Sequence, residues 1–269
     1  MAGVPVSMRK ILLTLTIVSA LIGMNAPASA ETITIVADEW CPYNCKPDSD
    51  KPGLFIEIAK KVFAREGIDV VYKTAPWARA IEDTREGKYT AITGAAMGDA
   101  RDFVFPAEPQ AQSVMTFYVK YGSRWTYQNL ASLSKISLGI IVDYSYGNFI
   151  DGYIAKHKND MRLVQPVGGN NALESNVLKV IKKRVGATIE SAAVMDYYLA
   201  THGRTGQLVA VGAMPVNDDQ NLYIAFSPKD PNAARYARIV TEGTRTLRQS
   251  GKMQEIFNRY SLSEDEASR

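Results

Sequence analysis

The chain has 269 residues, with 31 lysines and arginines against 28 aspartates and glutamates and a formal net charge of +3. No basic block or patterned basic stripe occurs, which argues against a nucleic-acid surface or an anionic-membrane surface. The length suits one large or two medium domains, and beyond the N-terminal region no apolar run reaches membrane-spanning length.

Arg9 and Lys10, the apolar run 11–22 and the small residues Ala28, Ser29 and Ala30 have the order of an export signal, so residues 1–30 read as a signal peptide cut after Ala30. Its apolar run is short for a membrane span. The residue directly after the cut is Glu31 and not a cysteine, which disfavours a lipid anchor. The mature chain is then nearly neutral, exported to the periplasm and not inserted in the membrane.

From Glu31, Ile33, Ile35 and Ala37 alternate with Thr32, Thr34 and Val36, the period of a strand. At Phe55 the period lengthens: Phe55, Ile58, Val62 and their neighbours mark one face of a helix that Gly67 closes. A second strand over 69–74 completes a βαβ unit of a parallel sheet. In such sheets ligands lie beyond the carboxyl ends of the strands, where Asp38, Glu39, Trp40 and Tyr43 fall. For Glu39 an acid in water at a strand end is the competing reading. Cys41 and Cys45 share that loop; in an oxidising compartment they are expected to form a disulfide around residues 42–44. The spacing is not the redox C-x-x-C, and His157 and His202 are too distant in sequence to favour a metal site.

Pro76 and Trp77 lead into a helix carrying Arg79, placed beside the same sheet edge; a core tryptophan and a solvated arginine are the alternatives. A strand over 89–93 ends in the small residues from Gly94 to Gly98, which let backbone approach a ligand closely. Arg101 follows. A guanidinium there can grip a carboxylate with two parallel hydrogen bonds, or else form a surface ion pair with Asp99 or Asp102. Strands over 114–121 and 136–142 come next, and the second ends at Asp143, Tyr144, Ser145, Tyr146 and Gly147 before a helix, repeating the opening pattern. Tyr146 reads as packing. Further β and α pieces run through 162–166, 172–182 and 185–189, with Glu190 next and a helix over 192–200. A strand over 222–226 and two helices to residue 260 close the chain.

If that tail returns to the first unit, the chain crosses between units twice, near 119–123 and 221–227. The expected architecture is α/β in two lobes: 31–120 with 222–269, and 121–221, with a hinged cleft between them.

Taken together, Trp40 with Pro42 and Tyr43, the helix from Gly53, the strand after Gly87, Arg101 before Phe105, Gly139 with Tyr144 and Ser145, the run from Gly186 to Glu190, and the ending from Leu247 to Tyr260 resemble the bacterial extracellular solute-binding proteins of the polar amino-acid importer type. That resemblance implies the type II periplasmic binding protein fold and no cofactor. It also implies a monomer that captures a small molecule and hands it to a separate membrane importer. It places a ligand carboxylate on Arg101 with help from Ser145, a ligand ammonium on Glu190, and aromatic walls at Trp40, Tyr43, Trp77 and Tyr144. Glu190 stands where the family usually has aspartate, and Ala95 and Ala96 replace a usual hydroxyl, so another small carboxylate or a modified amino acid is an open alternative. The rival readings are a periplasmic dehydratase on the same fold, using Glu190 or Glu39 as general acid, and a receptor that presents its ligand to a signalling partner.

Overall fold

The computed structural model describes residues 1–3 and 30–264; the basic and apolar parts of the expected export signal lie outside the described residues. Among the described residues ten strands form two open sheets. In the first, β1 (Glu31–Ala37), β2 (Ile68–Thr74), β3 (Ala91–Ala95), β4 (Ala111–Gln112) and β10 (Asn221–Phe226) lie in the order β2-β1-β3-β10-β4. In the second, β5 (Met115–Lys120), β6 (Leu138–Ile141), β7 (Val164–Val167), β8 (Ala187–Ser191) and β9 (Leu208–Ala213) lie in the order β7-β6-β8-β5-β9. β1 pairs in parallel with β2 and β3, and β6 with β7 and β8, so both halves carry the βαβ unit expected from the periodicity.

The first sheet is backed by α1 (Leu54–Ala64), α2 (Trp77–Arg85), α6 (Ala233–Gln249) and α7 (Lys252–Arg259), and the second by α3 (Asn148–His157), α4 (Ala172–Ile181) and α5 (Ala192–Thr201). Phe55, Ile58, Val62 and Phe63 of α1 are buried with Ile33 and Ile35 of β1. Phe63 meets Phe226 and Tyr236 with ring centroids 6.3 and 6.0 Å away, which seats α6 over the sheet. Glu31 at the start of β1 accepts hydrogen bonds from Arg235 Nη1 (2.8 Å) and Tyr236 Oη (2.5 Å). Tyr260 Oη donates to Glu57 Oε1 (2.6 Å) and accepts from Gly53 N (3.0 Å), which ties the end of the chain to the start of α1. The tail therefore packs on the first sheet and its helix α1.

The lobe boundary differs from the one drawn on sequence. The sequence bounds place residues up to 120, and so β5, in the first lobe, but β5 pairs with β8 and β9 in the second sheet. The first crossing thus lies at Ser113 and Val114, and the second in the stretch 214–220. Residues 115–119 are all buried, so their pattern marks a central strand without saying which sheet receives it. The edge strand β9 and the two-residue β4 were not anticipated from sequence.

The packing of α1 against α6 depends on Gly243. A methyl group there would lie 2.4 Å from Cγ1 and 3.0 Å from Cβ of Val62, close to the valine's own backbone and with little freedom to yield. Alanine is the better helix former by about 1 kcal/mol, but overpacking of this kind costs roughly 1–3 kcal/mol. Gly243→Ala is therefore expected to lower the urea midpoint, and a raised midpoint would show that the two helices can separate slightly at little cost.

Candidate functional site

A cavity opens where the carboxyl ends of the two sheets face each other. The first lobe contributes Asp38, Trp40 and Asn44 after β1, Trp77 at the start of α2, and Gly94, Ala96 and Asp99 at and after the end of β3; the second contributes Met115, Tyr144 and Ser145. Its volume, about 20 Å³, is room for about one water molecule.

Four hydrogen bonds cross between the lobes here. Trp40 Nε1 donates to Glu190 Oε1 (2.8 Å), Trp77 Nε1 to the carbonyl of Asp143 (3.1 Å), Ser145 N to Asp99 Oδ1 (2.7 Å), and Tyr144 Oη to Asp38 Oδ2. Asp99 also accepts from Ala96 N at 2.7 Å. Tyr144 stands edge-on between the two tryptophans, with ring centroids 6.4 Å from Trp40 and 6.1 Å from Trp77. Tyr43 stacks behind Trp40 at 4.7 Å, and the bridged Cys41 and Cys45 close the loop that carries both rings. Gly94, at φ 74°, lies against the side chain of Asn44, whose Nδ2 would be 2.7 Å from an added Cβ. That close approach lets Asn44 Nδ2 donate to the carbonyl of Thr93 at 3.1 Å.

The acids are the unusual feature. Burial pushes Asp38 up to about 6, Asp99 up to about 7 and Glu190 up to about 7, against the donors that favour their charged forms. Asp38 faces Tyr144, Glu39 and Tyr72; Asp99 faces Trp77, Ser145 and Asp151; Glu190 faces Trp40 and Asp38. Burial raises the Tyr144 hydroxyl as well. Among the described residues no lysine, arginine or histidine lines the cavity, and no three of His, Cys, Asp and Glu converge as a metal set.

The structure brings Trp40, Trp77, Gly94, Tyr144 and Ser145 to the cavity wall, with Glu190 one hydrogen bond behind Trp40 and Tyr43 stacked on that ring. It does not bring Glu39, Arg79 or Arg101 there. Glu39 is exposed, and Arg79 is exposed and paired with Asp83 at 3.4 Å. The expectation for Arg101 is corrected: its side chain is exposed, away from the cavity wall, and its Nη2 donates to Asn148 Oδ1 of the second lobe at 2.9 Å. The turn after Asp99 carries the arginine outward and leaves the aspartate facing in. Asp99 and Asn44 were missed as wall residues. The one signal for Asp99 was a lone acid among the small residues 94–100.

These acids set a direction for stability against pH. In the folded protein they hold their protons up to about pH 6–7, whereas in the unfolded chain they lose them near pH 4. The folded state therefore binds more protons across that window, and stability falls as pH rises through it. The melting temperature is expected to drop between about pH 4.5 and 7, with a shallower drop in Asp99→Asn and Glu190→Gln. A wild-type profile that rises over that range would contradict the assignment.

Comparison with known proteins agrees with this architecture. The model of the bacterial extracellular solute-binding proteins, family 3, matches residues 33–263. A histidine kinase sensor domain described as similar to periplasmic binding proteins superposes with a TM-score of 0.71 at 17% identity, covering 86% of this chain and 97% of that one. A structure from work on glutathione import via GshT and the cystine ABC importer TcyBC of Streptococcus mutans gives 0.70 at 16% identity, covering 88% and 97%. The arginine-, lysine-, histidine-binding protein ArtJ of Geobacillus stearothermophilus gives 0.67 at 17% identity, covering 89% and 100%. No curated protein matches the sequence.

Proposed function

The chain belongs to the bacterial extracellular solute-binding proteins, family 3, and on that premise we propose that it is a periplasmic receptor that captures a small polar solute between its lobes for delivery to a membrane ABC importer. The observation that carries this reading is the set of hydrogen bonds joining the two lobes through Asp38, Trp40, Trp77 and Asp99, all at the walls of one cavity. In this closed arrangement the lobes' own side chains satisfy one another. A solute of several heavy atoms enters only when the lobes part, and it then replaces contacts such as Tyr144 with Asp38. Capture is thus an exchange of partners across the cleft, driven by whatever the solute offers beyond the protein's own groups.

Export through a cleaved signal, action as a monomer and the absence of a cofactor are parts of the same proposal. Arg101 is left out of it as a carboxylate anchor, because of its place on the exposed rim. A thermal-shift screen of small polar solutes should find at least one that raises the melting temperature with concentration, and Trp77→Ala should weaken its binding tenfold or more while the fold is retained. No shift from any solute would defeat the receptor reading.

One observation favours a second reading as an enzyme. Glu190 is 1% exposed, raised to about 7, and has an Oε2 without a hydrogen-bond partner, the condition of a carboxyl group able to act as general acid. Incubation with a carboxylated ring substrate such as prephenate separates the two: a receptor gives no turnover at catalytic protein levels. A signalling partner in place of an importer uses the same cleft, and a pull-down with membrane extracts divides those two.

A further inference from the structure

Resting on the receptor reading of this cleft, we propose that its solute is a small organic cation without a carboxylate: an amine, a guanidinium or a quaternary ammonium. The charges at the wall come first. Asp38 and Asp99 line the cavity and Glu190 lies behind Trp40, while among the described residues no cationic side chain lines it. The two arginines that the sequence placed nearby turn away, Arg79 to Asp83 and Arg101 to Asn148. A ligand carboxylate entering here would meet acids at short range, and the guanidinium of Arg101 stands off the wall and acts on Asp151.

The hydrogen-bonding inventory points the same way and is independent of charge. Asn44 is 1% exposed and lines the cavity; its Nδ2 is committed to the Thr93 carbonyl, and its Oδ1 has no partner. Two backbone N–H groups that could have received an anion, those of Ala96 and Ser145, both already donate to Asp99. In the closed arrangement the wall keeps an unpaired acceptor while its donors are spent on its own acids, an inventory that a donating ligand completes.

The rings supply the third element. Trp40, Trp77 and Tyr144 are set nearly perpendicular where they meet, with interplanar angles of 85° and 81°. Ring faces in several orientations beside carboxylates suit a cation held by the aromatic quadrupoles and neutralised by the acids. When the lobes part, Tyr144 leaves the space between the tryptophans and the cation takes it.

The test is calorimetry on the purified wild-type protein with matched pairs that differ by a carboxylate: agmatine against arginine, putrescine against ornithine, and choline against betaine. At least one of the three cations is expected to bind, at least tenfold more tightly than its carboxylated counterpart, and Asp38→Asn and Asp99→Asn should each weaken it tenfold or more. Because the matched pairs need no variant, the comparison holds even if a substitution fails to fold. Equal or tighter binding of the carboxylated member, cation binding unchanged in both folded variants, or binding of neutral or anionic solutes alone would overturn the cation assignment and leave the receptor standing. Failure of every class of solute to bind would remove both.

Discussion

Three carboxyl groups lie in or beside the cleft between the lobes, among the described residues no basic side chain stands at the cavity wall, and the acids' need for hydrogen-bond donors organises the contact. Asp99 draws its donors from Ala96 of its own lobe and Ser145 of the other; Asp38 is met by the Tyr144 hydroxyl; Glu190 reaches across to Trp40. Each bond exchanges a water for a protein donor, an exchange worth only about 0.5–1.5 kcal/mol net for an ordinary pair. Closure held by a handful of such bonds is a shallow preference. A ligand needs only a modest differential interaction to redistribute the two arrangements.

The cleft works only if the donors are presented accurately, and the first lobe is built to do so. Trp40 sits in a loop closed by the Cys41–Cys45 bridge, stacked on Tyr43 and followed directly by α1. Backbone bonds from Cys45 N to Pro52 O and from Leu54 N to Pro42 O lace that loop to the start of the helix. Tyr260 then clamps the same helix start from the end of the chain. Gly94 lets Asn44 lie against the end of β3. The wall is thus carried by rigid strand ends and laced turns, while the two crossings at 113–114 and 214–220 connect the lobes.

Much of this was legible in the sequence, because periodicity reports burial. The alternation from Thr32 to Ala37 and the helical spacing from Phe55 to Phe63 identify the βαβ unit, and the rule that ligands sit beyond strand ends then selects Trp40 and Tyr144. What failed was the choice of which side chain faces inward in the turn after β3. Whether Asp99 or Arg101 faces the cavity depends on the dihedral angles of two or three turn residues, which have no period to read. β5 failed for another reason: a strand buried on both faces carries no mark of the sheet it joins, and only pairing with β8 and β9 decides it.

The exchange of Arg101 for Asp99 at the wall shows how little of the scaffold fixes the charge of a ligand. Both residues follow the same strand through the same small-residue turn, and a change of which one points inward reverses the sign of the field without moving a strand. The resemblance to amino-acid receptors therefore constrains where a solute sits far more than what it carries. With acids held near neutral range by burial, the cleft's charge also responds to its occupant. A cation placed among Asp38, Asp99 and Glu190 favours their ionised forms, so they release protons as it enters, whereas an anion would have to bring protons with it. The desolvation that makes these carboxyls reluctant to ionise in the closed protein is what a cationic guest relieves.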